Sequence, residues 1–343
     1  MKRRMLIGAM AGLPLVGLAR PRGAEAVAMF PWVNAGYYGS PQAAVNAAPA
    51  GAVVLFPRGT YVGDLTITKS LTLQGEGNPP NLLNGVSGDV DGTGTKLIGG
   101  IHVEPPANTL IHVGIRDLGI RGGVRLRAAS ALSGVTGWHM DNVRVWESAE
   151  AGISLDGNVF EGHMRNVYAC QNAGDGLATS DAGGGIVGEV QVDACRFFAN
   201  GARGVYLASG GNVTFGQVSA SYNQREGFVS YGARFDAQTI HLESNALDGA
   251  TGRAAWLYCQ KSRIGALRVS HAGTDADGVA LTGCTGVRIG QLTGNAAGGR
   301  KDLTIDGASL RCTVEDYWPE DGTPRFTNGG YQCEVRQGAV LLG

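Results

Sequence analysis

From Ser148 onward the chain repeats a short phrase: a polar residue, three variable positions, Gly, then two apolar residues flanking one outward position. Ser148-Ala-Glu-Ala-Gly152-Ile153-Ser-Leu155 is the first clear copy. Asn172-Ala-Gly-Asp-Gly176-Leu177, Asn200-Gly-Ala-Arg-Gly204-Val205-Tyr-Leu207 and Asn223-Gln-Arg-Glu-Gly227-Phe228 follow. Asn245 opens a looser copy ending in Ala255-Trp-Leu257, and Thr274-Asp-Ala-Asp-Gly278-Val279-Ala-Leu281 is a later one. The steps from 148 to 172, 200, 223 and 245 are 24, 28, 23 and 22 residues, a period too short for helical-repeat units.

Between the phrases lie short β-prone segments, Val143-Arg-Val145, Val190-Gln-Val192, Ile240-His-Leu242, Leu267-Arg-Val269 and Val287-Arg-Ile289. Each sets apolar residues on one side and a polar residue on the other. Coils of short strands, with no helical pattern between copies, satisfy their backbones by stacking about 4.8 Å apart, which predicts a parallel β-helix. The recurrent Asn is expected to tolerate a left-handed bend and to hydrogen-bond between rungs. The recurrent Gly is expected to supply φ > 0 where each coil turns.

Upstream, Ser40 to Pro49 predicts a helix of about two turns. It leads into Ala52-Val-Val-Leu-Phe56-Pro-Arg-Gly-Thr-Tyr61, Leu65-Thr-Ile67 and Leu71-Thr-Leu73-Gln-Gly-Glu-Gly77. This passage resembles the pectate-lyase-like superfamily, in which a capping helix precedes a V-x-F-P-x-G-T-Y strand and an L-T-L-x-G-x-G rung. The resemblance implies an all-β, single-stranded, right-handed parallel β-helix with an N-terminal capping helix. Residues 27–310 would form that helix with its N-terminal cap, and residues 311–343, which depart from the period, an irregular C-terminal cap. The superfamily includes secreted polysaccharide lyases and hydrolases and phage tailspikes.

Gly makes up 56 of the 343 residues, about twice the ~7% average, but 12 Pro and the lack of a G-X-Y period exclude collagen. With 43% hydrophobic and 17% charged residues the chain can bury a sizeable core. A net charge of −1 gives no reason to expect nucleic acid as a partner. Residues 1–26 read as a signal peptide: Lys2-Arg3-Arg4, an apolar run from Met5 to Ala19, then Ala24-Glu25-Ala26. The paired Arg3 and Arg4 resemble a twin-arginine signal, with Lys2 and Met5 replacing its usual Ser and Phe. A secreted or periplasmic protein is expected, with a virion location as the alternative. No later stretch is long and apolar enough for a membrane span.

The six cysteines lack a zinc-like spacing. Strand parity places Cys259 inward and Cys284 outward, so these are expected as stacked free thiols, whereas Cys312 and Cys333 are the best disulfide candidate. No cofactor is implied. Calcium on the oxygens of Asp275 and Asp277 is the alternative, although two carboxylates fall short of the about six to eight ligands it takes.

Outward positions after each Gly follow from parity. Tyr206, Tyr231, Trp256 and Tyr258 project from three adjacent rungs and form a candidate sugar platform. The position before each Gly adds Asp175, Arg203, Glu226 and Asp277, with Arg253 near the same level. In this ladder Asp175 and Glu226 flank Arg203 as a candidate catalytic group, two rungs or ~9–10 Å apart at the backbone. A hydrolase would use the carboxylate pair. A lyase would use Arg203 to neutralise a uronate and Tyr206 or His241 as base. Surface ion pairing is the competing reading of the same ladder. Trp138-His139-Met-Asp141 and Glu161-Gly-His163 suggest packing. The N-T-D, D-D and G-H-G of polygalacturonases, the D-P-H of alginate epimerases, the Q-D-T-L of pectin methylesterases and the R-x-P-x-x-R of pectate lyases do not occur. The resemblance and the aromatic platform imply an extended polysaccharide as partner, bound and, in the enzyme reading, cleaved by hydrolysis or β-elimination, with the chain a monomer or homotrimer. A phage tailspike recognising surface glycan and a non-catalytic adhesin or scaffold are the alternatives.

Overall fold

The computed structural model describes residues 31–77, 94–128, 130, 132–181, 185–208, 210–248, 252–270, 276–295 and 300–343. The signal-peptide segment, Thr274 and Asp275 lie outside them. The described chain is a right-handed parallel β-solenoid of about eleven turns. Its strands form one sheet of 11 and one of 22. In the first, Leu65, Ile101, Val124, Ile153, Leu177, Val205 and Phe228 stand in one inward column, each paired to the next. All are at most 1% exposed. Alternate residues therefore face out, as the period of two requires.

The Asn phrase is the seam that holds rung to rung. Asn172, Asn200, Asn223 and Asn245 are fully or almost fully buried. The Nδ2 of each of the first three donates to the Oδ1 of the next at 2.8–2.9 Å. The same Oδ1 accepts the preceding Asn backbone N–H at 3.1–3.2 Å. Ser148 enters the ladder through its own N–H, 3.0 Å from Asn172 Oδ1.

Two sequence expectations about this turn are corrected. The left-handed residue is not the Asn but the one before it: Gln171, Ala199, Tyr222 and Ser244 have φ of 49–56°. The Asn side chain is committed to the ladder, and the bend falls one position earlier. Nor do Gly152, Gly176, Gly204, Gly227 and Gly278 adopt positive φ. They are required for space: a Cβ on Gly176 would stand 2.6 Å from the Gly204 carbonyl oxygen and 2.8 Å from Asn200 Nδ2.

Near the start, the helix Pro41–Ala47 forms because Ser40 Oγ accepts the Ala43 N–H and Pro41 pre-sets the first turn. Its Gln42 amide bonds both backbone groups of Thr66, at 2.7 and 3.1 Å. The helix is thereby tied to the first strand of the eleven-stranded sheet. At the other end, strand pairing continues into residues 311–343. Thr313–Pro319, Phe326–Asn328 and Glu334–Gln337 stack in register on the rungs before them. Only Val340–Leu341 turns back, antiparallel to Arg336 and Gln337.

All six cysteines are buried free thiols. The bridges Gln260 to Thr285 and Leu310 to Tyr331 place Cys259 beside Cys284 and Cys312 beside Cys333. The expected opposition of Cys259 and Cys284 is thus incorrect, because the turn between strands breaks the alternation used to count it. Cys312 and Cys333 are not bridged: the Cys312 N–H points at Cys333 Sγ, 3.2 Å away. Side chains in one column point the same way rather than toward each other, unlike the geometry of a disulfide. Burial pushes the Cys195 thiol up to about 12 and raises those of Cys170 and Cys312, so these sulfurs are poor nucleophiles.

Candidate functional site

The outward face of the eleven-stranded sheet carries two ordered columns. One runs His102, Arg125, Ser154, Ala178, Tyr206, Val229, Trp256, Ala280. In the other, Arg127, Asp156 and Ser180 align on early rungs, and Tyr231 and Tyr258 on later ones. The face is therefore polar toward the N-terminal end, small in the middle at Ser154 and Ala178, and aromatic beyond.

All four predicted aromatics lie on this face. Tyr231 and Tyr258 stack at 5.0 Å between centroids and 27° between planes, and Trp256 meets Tyr231 edge-on at 6.2 Å. Tyr231 is 50% and Tyr258 42% exposed. Trp256 and Tyr206 are half-buried. Val229, outward by parity, is covered and only 2% exposed.

Asp175, Arg203 and Glu226 are brought together as counted, and they are engaged with one another. Arg203 Nη1 lies 3.4 Å from Asp175 Oδ2 and its Nε 3.7 Å from Glu226 Oε2. Arg225 Nε also approaches Glu226, at 3.9 Å. Asp175 Oδ1 accepts the Arg203 backbone N–H at 2.8 Å. The Glu226 side chain is 3% exposed, against 14% for Asp175 and 18% for Arg203. Burial raises the Asp175 pKa, opposed by the Arg203 N–H and the positive charges of Arg203 and Arg225.

Arg203 also lies over Tyr206, its Cζ 3.8 Å from the ring centroid. The motif recurs one rung past Val229, where Arg253 Cζ is 4.8 Å from the Trp256 ring. Each Arg precedes its aromatic by three residues, a spacing present in the sequence but outside the parity count. Such stacking fixes the ring's tilt and leaves its other side for a ligand. Arg253 pairs in register with Asp277, whose Oδ1 accepts the Lys301 N–H at 3.0 Å.

Sequence reasoning missed the polar end of the face. His102 and Arg125 help line a hollow of about 310 Å³ with Asp64, Glu150 and Ser154. Arg125 Nε contacts Asp156 Oδ2 at 2.7 Å, and Ser180 Oγ donates to Asp156 Oδ1 at 2.7 Å. The alternation in Ile101-His-Val103 and Val124-Arg-Leu126 marks these residues as outward, had the count begun before Ser148.

His241, considered as a base beside Arg203, sits instead on the 22-stranded sheet, paired with Ser219 and Arg268. It cannot serve that site. The two histidine segments treated as packing meet in register there. His139 and His163 stack at 5.6 Å, while Trp138 and Met140 are buried beneath. Asp141 lies 3.3 Å from Arg165, 3.5 Å from His163 and 3.6 Å from Arg116. The packing reading holds for the inward residues, and the outward ones form a charged ladder. Among the described residues no group of three His, Cys, Asp or Glu is placed to hold a metal ion, and no helix is long and apolar enough to cross a membrane.

No curated protein matches the sequence. Among solved structures, the lidless DFA-IIIase of Arthrobacter chlorophenolicus A6 has a TM-score of 0.60 at 11% identity, covering 90% of this chain and 99% of that one. The enzymatically active domain of bacteriophage CBA120 tailspike protein 2 gives 0.57 at 10% identity, covering 88% and 46%. ORF18 of Geobacillus virus E2 gives 0.56 at 15% identity, covering 89% and 60%. The chain thus spans less than two thirds of both viral proteins and nearly all of the bacterial enzyme. These likenesses are of fold. The family described as right handed beta helix region matches residues 99–273, just over half of the sequence, in agreement with the register of every rung over that span, and the chain belongs to that family.

Proposed function

We propose that this protein binds an extended polysaccharide along the outward face of the eleven-stranded sheet, with Tyr206, Tyr231, Trp256 and Tyr258 as the platform for sugar rings. The observation that carries the reading is the stacked, half-open group of Tyr231, Tyr258 and Trp256 on the outward face of the eleven-stranded sheet. Rungs repeat at ~4.8 Å, close to the advance of one sugar unit, so successive rings of an extended chain meet equivalent positions. Aromatic faces supply apolar contact while the Tyr hydroxyls and nearby polar groups take the sugar hydroxyls.

Within this reading Asp175, Arg203 and Glu226 border the platform. Arg203, gripped by both carboxylates, holds Tyr206 in place. Cleavage by the same trio, as a hydrolase or lyase, requires a carboxylate to leave its pairing with Arg203. The likeness to a tailspike's enzymatically active domain supports a second reading of the same face, a virion protein recognising bacterial surface glycan. The first reading calls for a secreted protein, the second for one carried on a virion. An adhesin or scaffold differs from both by lacking turnover.

Affinity electrophoresis against a panel of neutral and acidic polysaccharides tests the reading. Trp256→Ala and Tyr258→Ala should each weaken binding about tenfold, or ~1.4 kcal/mol, while the β-sheet circular dichroism at the assay temperature stays that of the parent. Binding that survives the double variant would refute the platform. Reducing-end release and ultraviolet absorbance of unsaturated products, measured for the parent and for Asp175→Asn and Glu226→Gln, separate hydrolysis, β-elimination and binding alone. A trimer by light scattering would favour the virion reading.

A further inference from the structure

The 22-stranded sheet carries a hollow of about 400 Å³ that no part of the platform uses. Its outward column runs Tyr168, Arg196, Ser219, His241, Arg268, one residue per rung. All five, together with Gln217 and Thr239, line the hollow with hydrogen-bond donors, and no acidic side chain lines it. The surroundings of its arginines differ from those of the ion-paired ones elsewhere on the solenoid. Arg116, Arg125, Arg165, Arg203 and Arg288 each reach a carboxylate, whereas Arg196 and Arg268 reach none among the described residues. Asp193, the acid nearest in sequence to Arg196, accepts the Gln217 backbone N–H at 3.0 Å. Glu243 lies two residues beyond His241, outside the lining. Arg196 is steadied by the Tyr168 ring, 5.7 Å from its Cζ, while the small Ser219 leaves the column open between Arg196 and His241.

We propose that this hollow is a second saccharide site, selective for an acidic polysaccharide lying along the solenoid axis. Arg196 and Arg268 stand three rungs apart, ~14 Å at the backbone, so the two guanidiniums meet acidic groups on separate units of one chain. Guanidinium forks suit carboxylate and sulfate oxygens. Ser219, Thr239 and Gln217 provide the neutral hydrogen-bonding groups that sugar hydroxyls need between the charges. The site stands whether or not the aromatic platform binds sugar.

Calorimetric titration of the full chain with a short oligogalacturonate, its sulfated neutral counterpart and an uncharged oligosaccharide of equal length tests this. Binding of at least one acidic ligand is expected, weakening with added salt. In a Trp256→Ala/Tyr258→Ala background, which removes the platform, this salt-sensitive binding should persist, and it should fall at least tenfold when Arg196→Gln/Arg268→Gln or Ser219→Glu is added. Both arginines are exposed, so the double variant should melt with the parent, and Ser219→Glu provides an independent check. Equal affinity of the platform-less background for the uncharged ligand, or acidic-ligand binding that vanishes with the platform or survives the added arginine substitutions, overturns the proposal. Equal affinity for inorganic sulfate also overturns it, reducing the hollow to a simple ion site. A preference for carboxylated over sulfated ligand, or the reverse, names the acidic group.

Discussion

Asn223 is the residue on which two neighbouring rungs converge. Its Nδ2 donates to Asn245 Oδ1 at 2.8 Å and to the Phe197 carbonyl at 3.1 Å. Its Oδ1 accepts both the backbone N–H and the Nδ2 of Asn200. Replacement by Ala strands several buried polar groups at once, each worth about 1–3 kcal/mol. Asn223→Ala should therefore lose about 3–5 kcal/mol in denaturant unfolding, far more than an exposed turn Asn would. A loss under about 1 kcal/mol would mean that the seam is decorative. The recurrence of Asn was plain in the sequence, and so was its pairing across rungs. What could not be read was the role of the glycines, because closeness to Asn200 Nδ2 and the Gly204 carbonyl is a property of the stack, not of the local phrase.

At the scale of strands, parity did most of what it promised. Counting from Gly204 and Gly227 places Tyr206, Tyr231, Trp256 and Tyr258 on one face, and the helix after Ser40 and the strand Ala52–Phe56 lie where the pattern puts them. The count failed where a turn intervened, at Cys259 and Cys284, and said nothing about which charges would lie over which rings. It also could not bring His139 to His163, since that requires the register between two rungs. In that ladder His139 Nε2 accepts the Arg116 Nε–H at 2.8 Å. Burial, Arg116 and His163 lower its pKa from 6.5 to about 4, against the opposing pull of Asp141. Because the folded value is the lower one, the unfolded chain takes up this proton first on acidification. The contribution to stability is full above pH 6.5 and declines as pH falls toward 4. His139→Gln should flatten that decline in the melting temperature across this window. An identical slope in parent and variant would assign the acid sensitivity to other groups.

Along the described solenoid, rungs contact chiefly their neighbours, so the strand at the end of the stack decides what its edge offers to another strand. Glu334–Gln337 pairs with Thr313 and Val314 on one side and receives Val340–Leu341 on the other, antiparallel to every strand before it. The Val335 N–H is taken by the Gly343 carbonyl and the Val335 carbonyl by the Leu342 N–H. A stack that ends in the same direction it began is a template for indefinite growth, and this reversal of polarity acts as its stop. Removing residues 338–343 would expose main-chain donors and acceptors with the pitch of another turn. The shortened protein should then self-associate end to end as its concentration rises, into rods one solenoid wide, while the parent does not. Sedimentation of both forms over a range of concentrations reads the difference, and a truncated chain that sediments like the parent would mean that the final reversal restrains nothing.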